Sequence, residues 1–225
     1  TLPAEFYGEE DNDYLSSYTG NDLLVGGLGD DRLLGGAGAN ELWGDNLAEQ
    51  NLNVGGFDQI SGGVGVDVAY GGGGNDIINL GGGNDYAFGG WGNDSLDGGD
   101  GNDRLYGGEG DDTISGYAGN DLIAGNNGND KLYGKDGHDV VIGGLGADMV
   151  MGDAGDDLLI NGVATFDPAG APPVGTDAST SASDVNDAAM LALLNDWVAN
   201  KPALLGLRAE AGVEWHSFVL WTLEH

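Results

Sequence analysis

The sequence contains no cysteine, so disulfides do not hold it together and its redox compartment stays open. Basic residues are scarce: 6 Lys and Arg stand against 38 Asp and Glu, giving a formal net charge of −32. A field of that sign repels nucleic acid and anionic membrane, and neither is expected as a partner. No apolar run approaches the ~20 residues of a membrane span. Between Thr1 and Asp167 the only proline is Pro3, as a stacked sheet requires. Catalytic signatures are missing as well. There is no HExxH, no GxSxG and no phosphate-binding GxxxxGK followed by Ser or Thr. His138 falls on an outward turn position, His216 is isolated and His225 ends the chain, so no catalytic residue is expected.

What fills the chain instead is a nine-residue unit, most regular in GGWGNDSLD, GGDGNDRLY and GGEGDDTIS from Gly89 to Ser115. Each has Gly at positions 1, 2 and 4, Asp at position 6 and an apolar residue at position 8. The phase runs without a break from Gly8 to Ile160, and fifteen of its seventeen slots carry Asp at position 6. These are Asp13, Asp22, Asp31, Asp58, Asp67, Asp76, Asp85, Asp94, Asp103, Asp112, Asp121, Asp130, Asp139, Asp148 and Asp157. Acids locked to one phase of a repeat are ligands rather than the scattered charge of a disordered acidic chain.

Glycines at positions 1, 2 and 4 suit a tight turn over positions 1 to 6. Positions 7 to 9 are then expected to form a very short strand with position 8 inward: Leu96, Leu105, Ile114, Ile123, Leu132, Val141, Val150 and Leu159 in the second half. Two units make one coil, so the Asp residues of alternate units stack about 4.8 Å apart along one edge. Bare carboxylates at that spacing repel by roughly 1 kcal/mol in water, and by several at the lower dielectric of a protein surface. A hard divalent cation between them reverses the sign and also draws in carbonyl oxygens, which points to calcium.

The unit resembles the RTX (haemolysin-type) calcium-binding nonapeptide, over about two-thirds of the chain. The resemblance implies an all-β fold, a right-handed parallel β-roll of about eight and a half coils, with several Ca²⁺ ions held between turns on both edges. It also implies a ligand set. Each site takes an Asp carboxylate and the carbonyls of positions 2 and 4 from one unit, completed by Asp and the carbonyls of positions 1 and 3 two units later. Asp85 with Asp103 and Asp94 with Asp112 are such pairs. The implied carbonyl donors are Gly63, Gly65, Gly72, Gly74, Gly81, Gly83, Gly90, Gly92, Gly99, Gly101, Gly108, Gly110, Gly119 and Gly128. The reading is of a secreted or cell-surface structural or adhesive module that folds on extracellular calcium. The alternative is the accessory module of a secreted protease, lipase or polysaccharide epimerase whose catalytic domain lies elsewhere. Thr1 is not preceded by a methionine or signal peptide, which suggests a fragment of something larger.

Residues 1–160 are read as the roll, weakened at 40–52, where Asn40 and Glu49 stand at position 6 and the turn at 44–52 lacks its glycine. Both columns are expected to be damaged there at one level, with calcium missing or displaced around Asn40 and Glu49 and a small bulged loop. Residues 161–184, with three of the five prolines, read as a linker or surface strap. Ser183 or Asp184 then caps a helix to about Asn200, whose apolar stripe holds Val185, Ala189, Met190, Leu193, Leu194 and Trp197. With a second short helix at 202–211 it makes a capping segment over 185–222, although 213–221 suits strand as well as helix. Leu223-Glu224-His225 resembles the start of a polyhistidine tag. Finally, outward position 9 reads Leu34, Leu52, Tyr70, Phe88, Tyr106, Ala124, Ile142 and Ile160 on odd units. On even units it reads Trp43, Ser61, Asn79, Asp97, Ser115, Tyr133 and Met151. One sheet is thus expected to expose an apolar stripe, either covered by the helix or used for self-association.

Overall fold

The computed structural model describes residues 3–45 and 55–161 and, as backbone, the strand Ser217–Val219. Successive units place their strands alternately in two parallel sheets. One sheet has ten strands: β1 (Glu5–Glu10), β3 (Leu23–Leu28), β5 (Glu41–Trp43), β7 (Val68–Gly73), β9 (Tyr86–Trp91), β11 (Arg104–Glu109), β13 (Leu122–Asn127), β15 (Val140–Leu145), β17 (Asp157–Ile160) and β18 (Ser217–Val219). The other has eight: β2 (Tyr14–Ser16), β4 (Arg32–Ala37), β6 (Gln59–Val64), β8 (Ile77–Gly82), β10 (Ser95–Asp100), β12 (Thr113–Ala118), β14 (Lys131–Gly137) and β16 (Met149–Gly155). The result is an all-β, two-sheet parallel solenoid with an eighteen-residue repeat, as in Ser95↔Thr113 and Arg104↔Leu122.

The strands are longer than positions 7 to 9. A typical strand has six residues, because positions 1 to 3 of the next unit continue it. Glycine at positions 1 and 2 therefore sits in the sheet, and only positions 4 to 6 turn the corner. Position 8 faces inward as expected. Leu24, Leu33, Leu42, Ile78, Leu96, Leu105, Ile114, Ile123 and Leu132 form one continuous buried column between the sheets. Leu80, at position 1, joins them, which shows that position 1 also faces the interior.

Between β1 and β17 the register departs from eighteen at one place. Arg32 pairs with Gln59 and Glu41 with Val68, each twenty-seven residues on. Strand β5 stops at Trp43, and Gly55 and Gly56 resume the turn, with Gly56 stacked on Gly29 below it. Nine residues, 46–54, are thus surplus to the ladder. The unit at this level is assembled from Gly44 and Asp45 at positions 1 and 2 and from Gly55 onward.

This skip corrects the assignment of faces. Leu34 lies on β4 in the eight-stranded sheet, paired with Ser61, while Trp43 lies on β5 beside Tyr70. The Trp43 and Tyr70 rings stack with centroids 4.0 Å apart. Leu52 lies outside the described residues. The expected apolar stripe does run along the ten-stranded sheet, but over its second half it is not exposed. Tyr106, Leu122, Ala124, Val140, Ile142, Leu158 and Ile160 form a second buried cluster on the outer side of β11, β13, β15 and β17. The helix expected at 185–200 and the shorter one at 202–211 lie outside the described residues. Within 213–221, Ser217–Val219 is a strand, β18, paired in parallel with β17. Among the described residues no helix is long and apolar enough to cross a membrane.

Candidate metal centre

Each corner of the solenoid carries one ladder of position-6 side chains. In the first, Asp13 N donates to Asp31 Oδ1, Asp31 N to Asp58 Oδ1, Asp58 N to Asp76 Oδ1 and Asp76 N to Asp94 Oδ1, all at 2.8 or 2.9 Å. It continues through Asp112, Asp130 and Asp148. In the second, Asp22 leads through Asn40, Asp67, Asp85, Asp103, Asp121 and Asp139 to Asp157. The first ladder passes straight from Asp31 to Asp58, so the register skip leaves it continuous. Glu49 lies outside the described residues, and the place expected for it is taken by Asp58. Only the second column is interrupted, at Asn40.

The ladder uses one oxygen of each carboxylate; the other is aimed into the corner. Oδ2 of fourteen in-phase aspartates, all but Asp22, is buried without a hydrogen-bond partner. Most of these residues are almost wholly buried, among them Asp58, Asp67, Asp121 and Asp139 at 0 %, while Asp13 and Asp148 near the two ends are half-buried. A methyl group on Gly98 would meet both Asp103 Oδ2 and Gly116 O, and one on Gly71 would meet Asp76 Oδ2 and Gly89 O. The free carboxylate oxygen and the position-1 carbonyl of the next coil therefore face the same small space. The residues implied as pairs adjoin as expected: Asp85 N donates to Asp103 Oδ1 and Asp94 N to Asp112 Oδ1, both at 2.8 Å.

Positions 2 and 4 set how closely the coils approach. Gly99 and Gly101 have φ of 105° and 142°, and a methyl group on either would strike the carbonyl of Gly81 or Gly83 below it. The other glycines singled out at these positions share the positive φ, with the exception of Gly83. Further out, position 5 builds a second ladder: Asn93 N donates to Asn75 Oδ1, Asp111 N to Asn93 Oδ1 and Asn129 N to Asp111 Oδ1. His138 stands in this ladder, donating through its backbone N to Asn120 Oδ1 and accepting from Asp156 N at Nδ1.

Burial pushes nine of the column carboxyls well above the usual carboxylate range. Asp85, Asp103 and Asp130 rise to about 6, Asp94 and Asp139 to about 7, Asp58 and Asp121 to about 8, and Asp76 and Asp112 to about 9. For most of them neighbouring carboxylates push the same way, while the backbone N–H donated to Oδ1 pulls back. A buried oxygen held at this cost, with a carbonyl beside it, is the donor set a hard cation takes. Among the described residues no three or more His, Cys, Asp or Glu side chains gather as a metal site. The corners offer carboxylates from successive levels together with backbone oxygens.

Two residues escaped the sequence reading. Ser17, at position 1 where glycine is usual, places its Oγ 2.6 Å from Asp22 Oδ2 and 2.5 Å from Gly35 O, in the space left open at other levels. Its signal was present, as the one hydroxyl at position 1 of an otherwise regular unit. Asp45 is 4 % exposed and accepts from Gly73 N at 2.6 Å through Oδ2. Its place in the coil becomes visible only once residues 46–54 are taken out of the ladder.

A search of curated proteins finds no match. The family model for the RTX calcium-binding nonapeptide repeat matches four blocks, residues 7–42, 54–87, 88–123 and 124–159, well over half of the chain. The gap between the first two blocks falls at the register skip. The matched blocks carry both aspartate-lined corners, and the protein belongs to the RTX calcium-binding nonapeptide repeat family.

Proposed function

We propose that this chain is a structural or adhesive module of a secreted or cell-surface protein that folds as calcium fills its two aspartate columns. The supporting observation is the row of buried Oδ2 atoms with no hydrogen-bond partner. Without a cation each is a desolvated acceptor facing other carboxylates; with one, repulsion becomes attraction. The proposed ligands are the fourteen in-phase aspartates other than Asp22, with backbone carbonyls of the turn glycines completing each site. In this reading the coil is right-handed, and the regular run from Asp58 to Asp157 binds more uniformly than the levels around Asp22 and Asn40.

Sites of the extracellular class, with affinities on the order of 10⁻⁴ M, stay empty in the cytosol and fill outside. The chain then crosses the envelope unfolded and acquires structure at its destination. Residues 161–184 serve as linker, and the net charge of −32 disfavours nucleic acid. A contact between copies along the ten-stranded sheet would have to use the half-buried Val68, Tyr70, Tyr86 and Phe88, because the face beyond them is buried within one chain.

Circular dichroism tests the reading. In excess chelator the chain should be largely coil, and millimolar CaCl₂ should restore β-structure with a cooperative melt. An unchanged spectrum and melt in chelator would show that the ion does not organise the fold.

A further inference from the structure

The two outer faces of the solenoid are unlike in burial. On the eight-stranded sheet the outward residues Ser115 and Tyr133 are half-buried and Met151 is 41 % exposed. On the ten-stranded sheet the outward Tyr106, Leu122, Val140, Ile142 and Leu158 are 0 to 6 % exposed. Neighbouring strands shield the flanks of an outward side chain but not its tip, so burial of this order requires a further layer. Among the described residues no element lies over this face: the strands of the other sheet pack on the opposite side of the core.

Chain length and its return point identify the layer. Strand β17 ends at Ile160 and β18 pairs directly beside it, Leu158 with Phe218, a jump of sixty residues where a regular coil uses eighteen. The chain thus leaves and rejoins the roll at the edge of the buried patch, with residues 161–216 between. Within that segment lies the amphipathic stretch 185–200, carrying Met190, Leu194 and Trp197 on one stripe. The burial is a property of a single chain, so a second copy is not its cause. The other surplus segment, 46–54, departs beside β5, four strands of this sheet before the patch centres on β13.

We propose that the outer face of β11, β13, β15 and β17 is the seat of the chain's own segment 185–200. The segment covers the last coils as a layer, and β18 locks the chain end against β17. The face exists only when these coils are stacked, so the inference rests on the calcium reading for its regulation: calcium assembles the seat, and docking in turn tightens calcium in the last coils.

The chain lacks cysteine, which makes thiol labelling selective. In the full chain with millimolar CaCl₂, the thiol of Ala124→Cys, on the buried face, should react with a maleimide at least about tenfold more slowly than that of Ser115→Cys on the other sheet. The contrast should not depend on protein concentration. Adding Met190→Glu, Leu194→Glu and Trp197→Glu should abolish it while the β-sheet circular dichroism persists. As a check that leaves the segment's fold intact, Ala124→Cys combined with Leu194→Cys should cross-link within one chain. Protection that survives the triple substitution, or no cross-link within the chain, overturns 185–200 as the occupant. Protection that grows with concentration assigns the face to a second copy. If the roll forms without calcium, the labelling contrast still reads the cover, and only its linkage to the ion is overturned.

Discussion

Ser17 Oγ lies 2.6 Å from Asp22 Oδ2, where every other in-phase aspartate leaves that oxygen without a hydrogen-bond partner. The hydroxyl also lies against Gly35 O, so it fills the space that elsewhere faces a position-1 carbonyl. The next residue of that column is the neutral Asn40. This level should therefore be closed by protein atoms alone. Asp22→Asn is expected to leave the number of bound calcium ions unchanged by calorimetric titration. Ser17→Gly combined with Asn40→Asp should raise it.

Substitutions along the second column should differ in kind. Asp103→Ala removes a buried carboxylate from the regular run and should cost about 2 kcal/mol or more of calcium-loaded stability. Asn40→Ala loses an acceptor for Asp22 N and should cost about 1 kcal/mol, without a change in calcium stoichiometry. Equal losses in calcium-loaded denaturation, or loss of a bound ion in Asn40→Ala, would contradict this.

Calcium-free chain should respond to acid in the direction opposite to most proteins. Nine column carboxyls, Asp103 and Asp112 among them, are raised in the folded state from an ordinary value near 3.8 to between about 6 and about 9, chiefly by burial. An acid with a raised folded-state value stabilises the fold fully below its unfolded value and loses that contribution as pH rises through the folded value. In chelator, β-structure should therefore be gained as pH falls from about 9 through 6 towards 4. With calcium present, protons compete for the same oxygens, so calcium affinity should fall over that range.

Two adjacent glycine types separate sterics from flexibility. Gly101→Ala places a methyl against Gly83 O at φ 142° and should destabilise by more than about 2 kcal/mol. Gly82→Ala meets nothing closer than Asp100 at 4.0 Å, with no positive φ, and should be neutral or stabilising by about 0.4–1 kcal/mol. Thermal melts in saturating calcium measure both.

Deleting residues 46–54 joins Asp45 to Gly55 and should leave every pairing register and the calcium count intact, with stability unchanged or raised by about 1–2 kcal/mol. Deleting one regular unit, such as 98–106, should instead transfer all later strands to the opposite sheet. Outward Tyr133 and Met151 would then occupy the apolar face, and the melt should lose cooperativity.

Most of the solenoid was legible because each nonapeptide repeats the same local problem: glycine where backbones touch, Asp at the corner, one aliphatic residue inward. Leu96, Leu105 and Ile114 needed no long-range information to be placed in the core. The skip at 46–54 was illegible for the same reason. Nine surplus residues keep the phase, so Trp43 and Ser61 look correctly spaced on one face while parity has changed between them. Asp45 and Ser17 were passed over because each depends on a neighbour a coil away, Gly73 for one and Gly35 for the other. The burial of Tyr106 and Ile142 could not be read at all from the repeat, since it is imposed from outside the sheet.

The stacking of each strand on that of the next coil, eighteen residues on between Glu5 and Ile160 except at the skip, has a mechanical consequence. Every strand binds only the strands one coil before and one coil after it, and the coils stack along the direction from Glu5 to Ile160. A force drawing those two points apart acts across the backbone hydrogen bonds and opens them a few at a time, rather than shearing a whole strand. In such a geometry the chain pays out in lengths of eighteen residues at low and nearly constant load. Each corner that holds a shared cation adds a brake, so tension and external calcium would together set how far the roll extends.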